Sequence, residues 1–97
     1  MANLDFAGRV AEDFRRIRNH LREYEVENAP QRFAEIIEAL DILTFSPFIG
    51  RPWGKGLREL VIGRGSHGYC ALYRYSPLDD LVTVLAIKSQ SEVGYRH

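Results

Sequence analysis

The sequence predicts an α+β domain in which an N-terminal strand and an antiparallel helical hairpin precede a small, mainly antiparallel sheet, in the order β-α-α-β-β-β. Three observations carry this expectation. Two stretches of the first half repeat apolar residues at steps of three and four, as amphipathic helices do. Short runs rich in Val, Ile, Leu and Tyr fill the second half, and the brief turns between them favour antiparallel neighbours. Finally, 97 residues, 45% of them hydrophobic and 27% charged, suffice for one core and one domain over residues 1–97. That size excludes an enzyme with separate cofactor and substrate lobes.

The chain opens with a short extended segment, Leu4 to Phe6. Val10, Phe14, Ile17, Leu21 and Tyr24 then form one stripe of a first helix, with Glu12, Arg15, Arg16, Arg22 and Glu23 on the other face. Glu12 and Arg16 stand at the i,i+4 spacing that favours a surface ion pair. In Asn28-Ala29-Pro30-Gln31 a capping side chain, a first-turn proline and a glutamine able to return the bond predict the start of a second helix. Its apolar positions are Phe33, Ile36, Ile37, Leu40 and Leu43, and Pro47 and Gly50 end it. The stripes of two such helices need a third surface to cover them.

That surface comes from Leu57 to Ile62, Tyr69 to Tyr75 and Leu81 to Ile87, with turns at Gly63 to Gly68 and Ser76 to Asp80. Alternation places Tyr69, Ala71, Tyr73 and Tyr75 on one strand face and Cys70, Leu72 and Arg74 on the other. The last run is almost wholly apolar, which predicts a central, covered strand. Gly50 to Gly56 lacks the spacing of a phosphate-binding loop and follows a helix, so it reads as a connection with a partly buried Trp53.

The charge balance narrows the function. Thirteen basic and thirteen acidic residues cancel, which argues against bulk electrostatic binding of DNA. Residues 1–50 hold six Lys/Arg against nine Asp/Glu, a net −3, and residues 51–97 hold seven against four, a net +3. An anionic partner would therefore meet the second half. No apolar stretch reaches the roughly 20 residues of a membrane span, and Met1 to Phe6 lacks the basic cluster of a signal peptide. The single cysteine, Cys70, sits in an apolar strand and reads as a packing residue. His20, His67 and His97 are scattered without metal-ligand spacing, so no metal site is expected.

The order of these elements, together with Ala11-Glu12-Asp13-Phe14, Ser46-Pro47-Phe48-Ile49-Gly50-Arg51, Leu57-Arg58-Glu59-Leu60, Gly68-Tyr69-Cys70-Ala71-Leu72-Tyr73-Arg74 and Ala86-Ile87-Lys88-Ser89-Gln90-Ser91-Glu92-Val93-Gly94-Tyr95, resembles the RelE/ParE superfamily of bacterial toxins from type II toxin-antitoxin modules. The resemblance implies a cytoplasmic toxin held inactive by a cognate antitoxin, with no cofactor and no membrane partner.

The branches of that superfamily differ in chemistry. The ribosome-dependent ribonucleases cut mRNA with lysines, arginines and a tyrosine that activate a 2′-hydroxyl and stabilise phosphate charge. The resemblance matches Arg58, Lys88 and Tyr95 to that set, but Leu60 and Cys70 stand where it has further bases. The ParE branch poisons DNA gyrase without catalytic residues of its own, and the Lys88 to Tyr95 tail and the uncharged Cys70-Ala71-Leu72 are more similar to it. The leading expectation is therefore a gyrase inhibitor in which Arg58, Lys88 and Tyr95 contact the target. The alternatives are an mRNA interferase acting on the ribosome through the same three residues, and a non-toxic regulatory partner that binds its antitoxin and represses their shared operon. The antitoxin is expected across the hairpin and sheet, at Phe14, Ile17, Leu21 and Arg74. Arg58 also admits a structural reading, as the partner of Glu59 or of another acid. The role of Tyr95 rests on the resemblance alone.

Overall fold

The computed structural model describes residues 1–23, 28–63 and 68–95. The elements run β1 (Asn3–Phe6), α1 (Val10–Glu23), α2 (Ala29–Ile42), β2 (Arg51–Gly54), β3 (Leu57–Ile62), β4 (Tyr69–Ser76) and β5 (Leu81–Ser89). The strands form one sheet in the order β1-β5-β4-β3-β2. All neighbours are antiparallel except β1 and β5, which are parallel, as a strand separated from its partner by the rest of the chain can be. The expected α+β architecture holds, with one strand added. Tyr24, the last member of the first predicted stripe, and most of the turn between β3 and β4, including His67, lie outside the described residues, as does His97.

Both helices cover one face of the sheet. Val10, Ile17 and Leu21 of α1 and Ile36 and Leu40 of α2 are buried against Ile62, Tyr69, Ala71, Tyr73, Val82, Val84 and Ile87. At the rim, Phe14 packs between Phe6 and Phe33, with ring centroids 6.3 and 5.3 Å away. Neither helix is long and apolar enough to cross a membrane.

The added strand is β2, within the segment read as a connection. It is a four-residue edge strand that carries Pro52, which an edge tolerates because the missing N–H faces no partner. It turns back into β3 through Lys55 (φ 55°) and Gly56 (φ 78°), the two positive φ values that a tight hairpin of primed type demands. Lys-Gly is a weak hairpin signal beside Asn-Gly, and this is why the strand is hidden in the sequence.

Three further expectations change. Asn28 does precede α2, but in the left-handed region (φ 59°, ψ 32°) and without a side-chain cap bond. A capping side chain reaches the first-turn amides from extended backbone, and Asn28 does not have it. Arg16 pairs not with Glu12 but with Asp13 at 2.8 Å and with Glu92 at 2.9 Å. Asp13 is buried and also accepts the Ile87 N–H at 3.0 Å, so the arginine is drawn toward charge that water cannot solvate. Finally, β5 is interior, between β1 and β4, but β4 is the middle strand.

The β4–β5 ladder slips between Leu72, paired with Ala86, and Tyr73, paired with Val84, leaving Leu85 as an extra residue. Such a bulge inverts the alternation of every later residue. Ile87 therefore joins Val82 and Val84 on the helix side, and Lys88 turns to the opposite, outer face.

Candidate functional site

The outer face carries the residues with chemical potential. On β3 the outward positions are Leu57, Glu59 and Val61, paired across to Arg74, Leu72 and Cys70. Lys88 is paired with Cys70 on the other side, and Arg51 with Glu59 on the edge. Beyond β5 the tail returns over this face and brings Tyr95 with it.

Glu59 is the centre of the cluster, only 2% exposed. A glutamate buried that far must have partners. Arg51 supplies one set, its Nε donating to Oε1 at 2.9 Å and its Nη2 closing on the same oxygen. The Tyr95 hydroxyl donates to Oε2 at 2.5 Å. The Tyr95 ring packs edge-on against Trp53, centroids 5.7 Å apart, and Lys88 Nζ lies 5.5 Å from its centre. Trp53 is 49% exposed, so the contact is half open to water.

The electrostatics follow from this geometry. Burial alone would raise the Glu59 carboxyl, but the hydrogen bonds from Tyr95 and Arg51 and the charges of Arg51 and Lys88 hold it below the usual carboxylate range. Burial first, and then the bond to Glu59 and its charge, push the Tyr95 phenol well above its ordinary value. The Cys70 thiol is also pushed up, by burial and then by the Glu59 charge. The cluster thus contains an ionised acid with both oxygens occupied, a phenol resistant to deprotonation and a thiol held protonated. The Glu59 carboxylate and the Tyr95 hydroxyl are thus committed to each other, and Glu59 also to Arg51.

The tail that carries Tyr95 is tied at its start. Ser89 N–H donates to Glu92 Oε2 at 2.8 Å, Gln90 N–H to the Gly68 carbonyl at 2.9 Å, and Arg16 binds both Glu92 and the Ile87 carbonyl. The chain thus runs from an anchor on α1 to one on the outer face.

Of the predicted target residues, Lys88 and Tyr95 come together and Arg58 does not join them. Arg58 alternates onto the helix side with Leu60 and Ile62, where its Nη1 donates to the carbonyls of Gly50 (2.7 Å) and Phe48 (3.1 Å) and its guanidinium lies 5.1 Å from the centre of the Phe48 ring. Its partner is therefore backbone and ring, not Glu59, which points the opposite way. Tyr73 completes this support, accepting the Gly50 N–H and donating to the Pro47 carbonyl, both at 2.8 Å.

The predicted antitoxin residues separate similarly. Ile17 and Leu21, each 4% exposed, are taken up by the chain's own core, so they offer no surface, while Phe14 is half-buried on the helix side. Arg74 is exposed on the outer face. Sequence reasoning missed Glu59, Arg51 and Trp53 as members of the cluster. Strand alternation held the signal for Glu59, since it is in phase with Val61 and Arg58 is not. Among the described residues no group of His, Cys, Asp and Glu could hold a metal ion.

A helical hairpin on one face of a five-stranded mixed sheet, with a tail folded onto the other, defines a small α+β domain. Residues 4–94 match the model of the ParE toxin of the type II toxin-antitoxin system parDE. The chain belongs to that family and is a type II toxin of the RelE/ParE superfamily. Comparison with curated proteins by sequence returned no match. Among solved structures, the chromosomal ParDE system of P. aeruginosa aligns with a TM-score of 0.72 at 22% identity, covering 92% of this chain and 96% of that one. The isolated E. coli RelE toxin aligns at 0.66 and 20% identity, covering 96% and 88%, and the RelBE2 toxin-antitoxin complex of Mycobacterium tuberculosis at 0.63 and 19%, covering 92% and 98%. Likeness at these identities establishes the fold.

Proposed function

We propose that this toxin acts by binding DNA gyrase in the bacterial cytoplasm, without covalent chemistry of its own, and that a cognate antitoxin neutralises it. The observation that carries the reading is the state of the ribonuclease-like residues. Arg58 is on the helix side, bound to the Phe48 and Gly50 carbonyls, while the Tyr95 hydroxyl on the outer face is committed to Glu59. Phosphodiester cleavage needs a proton acceptor, a proton donor and preorganised cations converging on one phosphate. Here the outward positions of β3 hold Leu57, Glu59 and Val61, none of them basic. Removing one preorganised donor typically costs about 3 kcal/mol, roughly a hundredfold in rate.

In this reading the target meets the tail from Lys88 to Tyr95 together with Trp53, a surface with apolar rings at its centre and cations beside them. The antitoxin's acidic segment lies on the outer face near the exposed Arg74. Solved relatives include toxin-antitoxin complexes, among them the E. coli RelBE complex, and this supports such a partner.

The test uses purified full-length chain in two assays at matched concentrations. The expected result is loss of gyrase supercoiling with accumulation of cleaved DNA, while ribosome-bound mRNA stays intact. Codon-dependent mRNA cleavage that disappears in Arg58→Ala and Tyr95→Phe overturns the reading in favour of an interferase. Normal growth of cells expressing the chain alone would instead identify a non-toxic antitoxin-binding partner.

A further inference from the structure

Glu59 has a feature that charge balance alone does not explain. Arg51, on the adjacent strand, already engages its Oε1 through two nitrogens. The second oxygen is nonetheless directed to a residue 36 positions away, the Tyr95 hydroxyl. The segment that leads there has little else to hold it. Gln90 and Glu92 are fixed by Gly68, Ser89 and Arg16, but Val93 is fully exposed and a side chain placed on Gly94 would meet nothing within 4 Å. Gly94 also adopts a positive φ of 71°, which turns the chain without packing it. Described contacts past Glu92 therefore converge on Tyr95: its hydroxyl on Glu59, its ring against Trp53, and Lys88 beside that ring.

We infer that Glu59 is a positioning residue for target binding, a latch that holds Tyr95, and through it Val93 and Gly94, in place on the outer face before the target arrives. The inference rests on the reading that this tail contacts the target. A surface ordered in advance spares the complex the entropy of ordering it on binding. Glu59 suits the role because it is itself immobilised. It projects from an inner position of the sheet, is shielded from water, and is aligned by Arg51. A charged acceptor held in this way makes a stronger hydrogen bond than a neutral one. Glu59 acts only through Tyr95 and does not touch the target.

The test compares the full chain with Glu59→Gln, Tyr95→Phe and the double variant. Amide hydrogen exchange is followed over residues 89–95, with α1 and β4 as the control for global opening, and gyrase inhibition is measured in parallel. Each single variant should speed exchange at Gly94 and Tyr95 about tenfold without changing α1 or β4. Each should raise the half-inhibiting concentration by a similar factor, and the double variant should add nothing, because both changes open the same latch. Unchanged tail exchange in Glu59→Gln, or effects that multiply in the double variant, would overturn the inference. Should Glu59→Gln also loosen α1 and β4, Tyr95→Phe decides by itself, since it keeps the ring and removes only the hydroxyl. A parent chain that leaves gyrase untouched while the variants still free the tail refutes the target and not the latch.

Discussion

Arg16 and Glu92, 76 positions apart, meet in an ion pair of 2.9 Å that fastens the first helix to the tail beyond the last strand. The same guanidinium reaches buried Asp13 and the Ile87 carbonyl, so one side chain joins α1, β5 and the tail. Burial opposes the charge of Arg16, but its bonds to Asp13 and Glu92 outweigh burial and hold its pKa above the ordinary value. Removing it deprives Asp13 of a cation and the tail of an anchor.

Arg16→Ala should therefore destabilise the chain by about 2 kcal/mol, the cost of removing a charged partner from a buried acid. For a domain of this size the melting temperature falls by roughly 10 °C. Arg16→Lys, which retains charge but not the fork that reaches three acceptors, should recover less than half of the loss. Thermal denaturation of the three proteins checks both statements.

Gly50 is fixed by what surrounds it. A Cβ there would lie 2.6 Å from the Tyr73 ring, 2.7 Å from its hydroxyl and 2.9 Å from the Glu59 carbonyl. The ring is fully buried and one obstacle is backbone, so neither can yield cheaply. Gly50→Ala should cost about 2 kcal/mol by overpacking, measured as a lower midpoint of urea unfolding with an unchanged slope.

The acid limb of the stability profile should report Glu59. Its folded-state pKa is depressed, so the stability it contributes is present above the ordinary carboxylate value and lost as pH falls through the lowered one. Tyr95, Arg51, Lys88 and Cys70 are the titratable groups identified around it. The difference in unfolding free energy between the parent and Glu59→Gln should therefore be largest near neutral pH and shrink below pH of about 4.5. A difference that grows toward acid pH would contradict this assignment.

Antitoxin binding should depend on charge at the outer face. Arg74→Glu should weaken binding of the cognate antitoxin at least tenfold at low salt, because it places like charges together, and by much less at high salt, where the Debye length contracts to about 3 Å at 1 M. Titration of the complex at two ionic strengths measures it. Equal losses at both would assign Arg74 a packing role.

Arg58→Ala should act on the loop before β2. Without the guanidinium the Phe48 and Gly50 carbonyls lose their donor. A loss of about 1–2 kcal/mol in stability is expected, with faster hydrogen exchange confined to the region of Phe48 to Arg51.

The features legible in the order of residues are those that repeat locally. The three- and four-residue steps from Val10 to Leu21 and from Phe33 to Leu40 set the helices and most of their buried sides, although Ile37 of the second stripe is 45% exposed. Alternation in Tyr69, Ala71, Tyr73 and Tyr75 fixed the inner face of β4, because the two periodicities follow from backbone geometry before any tertiary contact exists. The same alternation in β3 already separates Arg58 from Glu59. Tertiary structure decided the rest. The bulge at Leu85 depends on how β5 registers against β4, and it turns Lys88 away from the helix face where unbroken alternation would have left it. The four residues of β2 become a strand only because β3 offers a free edge. Arg16 leaves its i,i+4 partner Glu12 because buried Asp13 and distant Glu92 bind it more strongly. Tyr95 acquires its place only when the tail brings it to Glu59. These choices belong to residues far apart in the chain, whose meeting is set by register, burial and charge in the folded molecule.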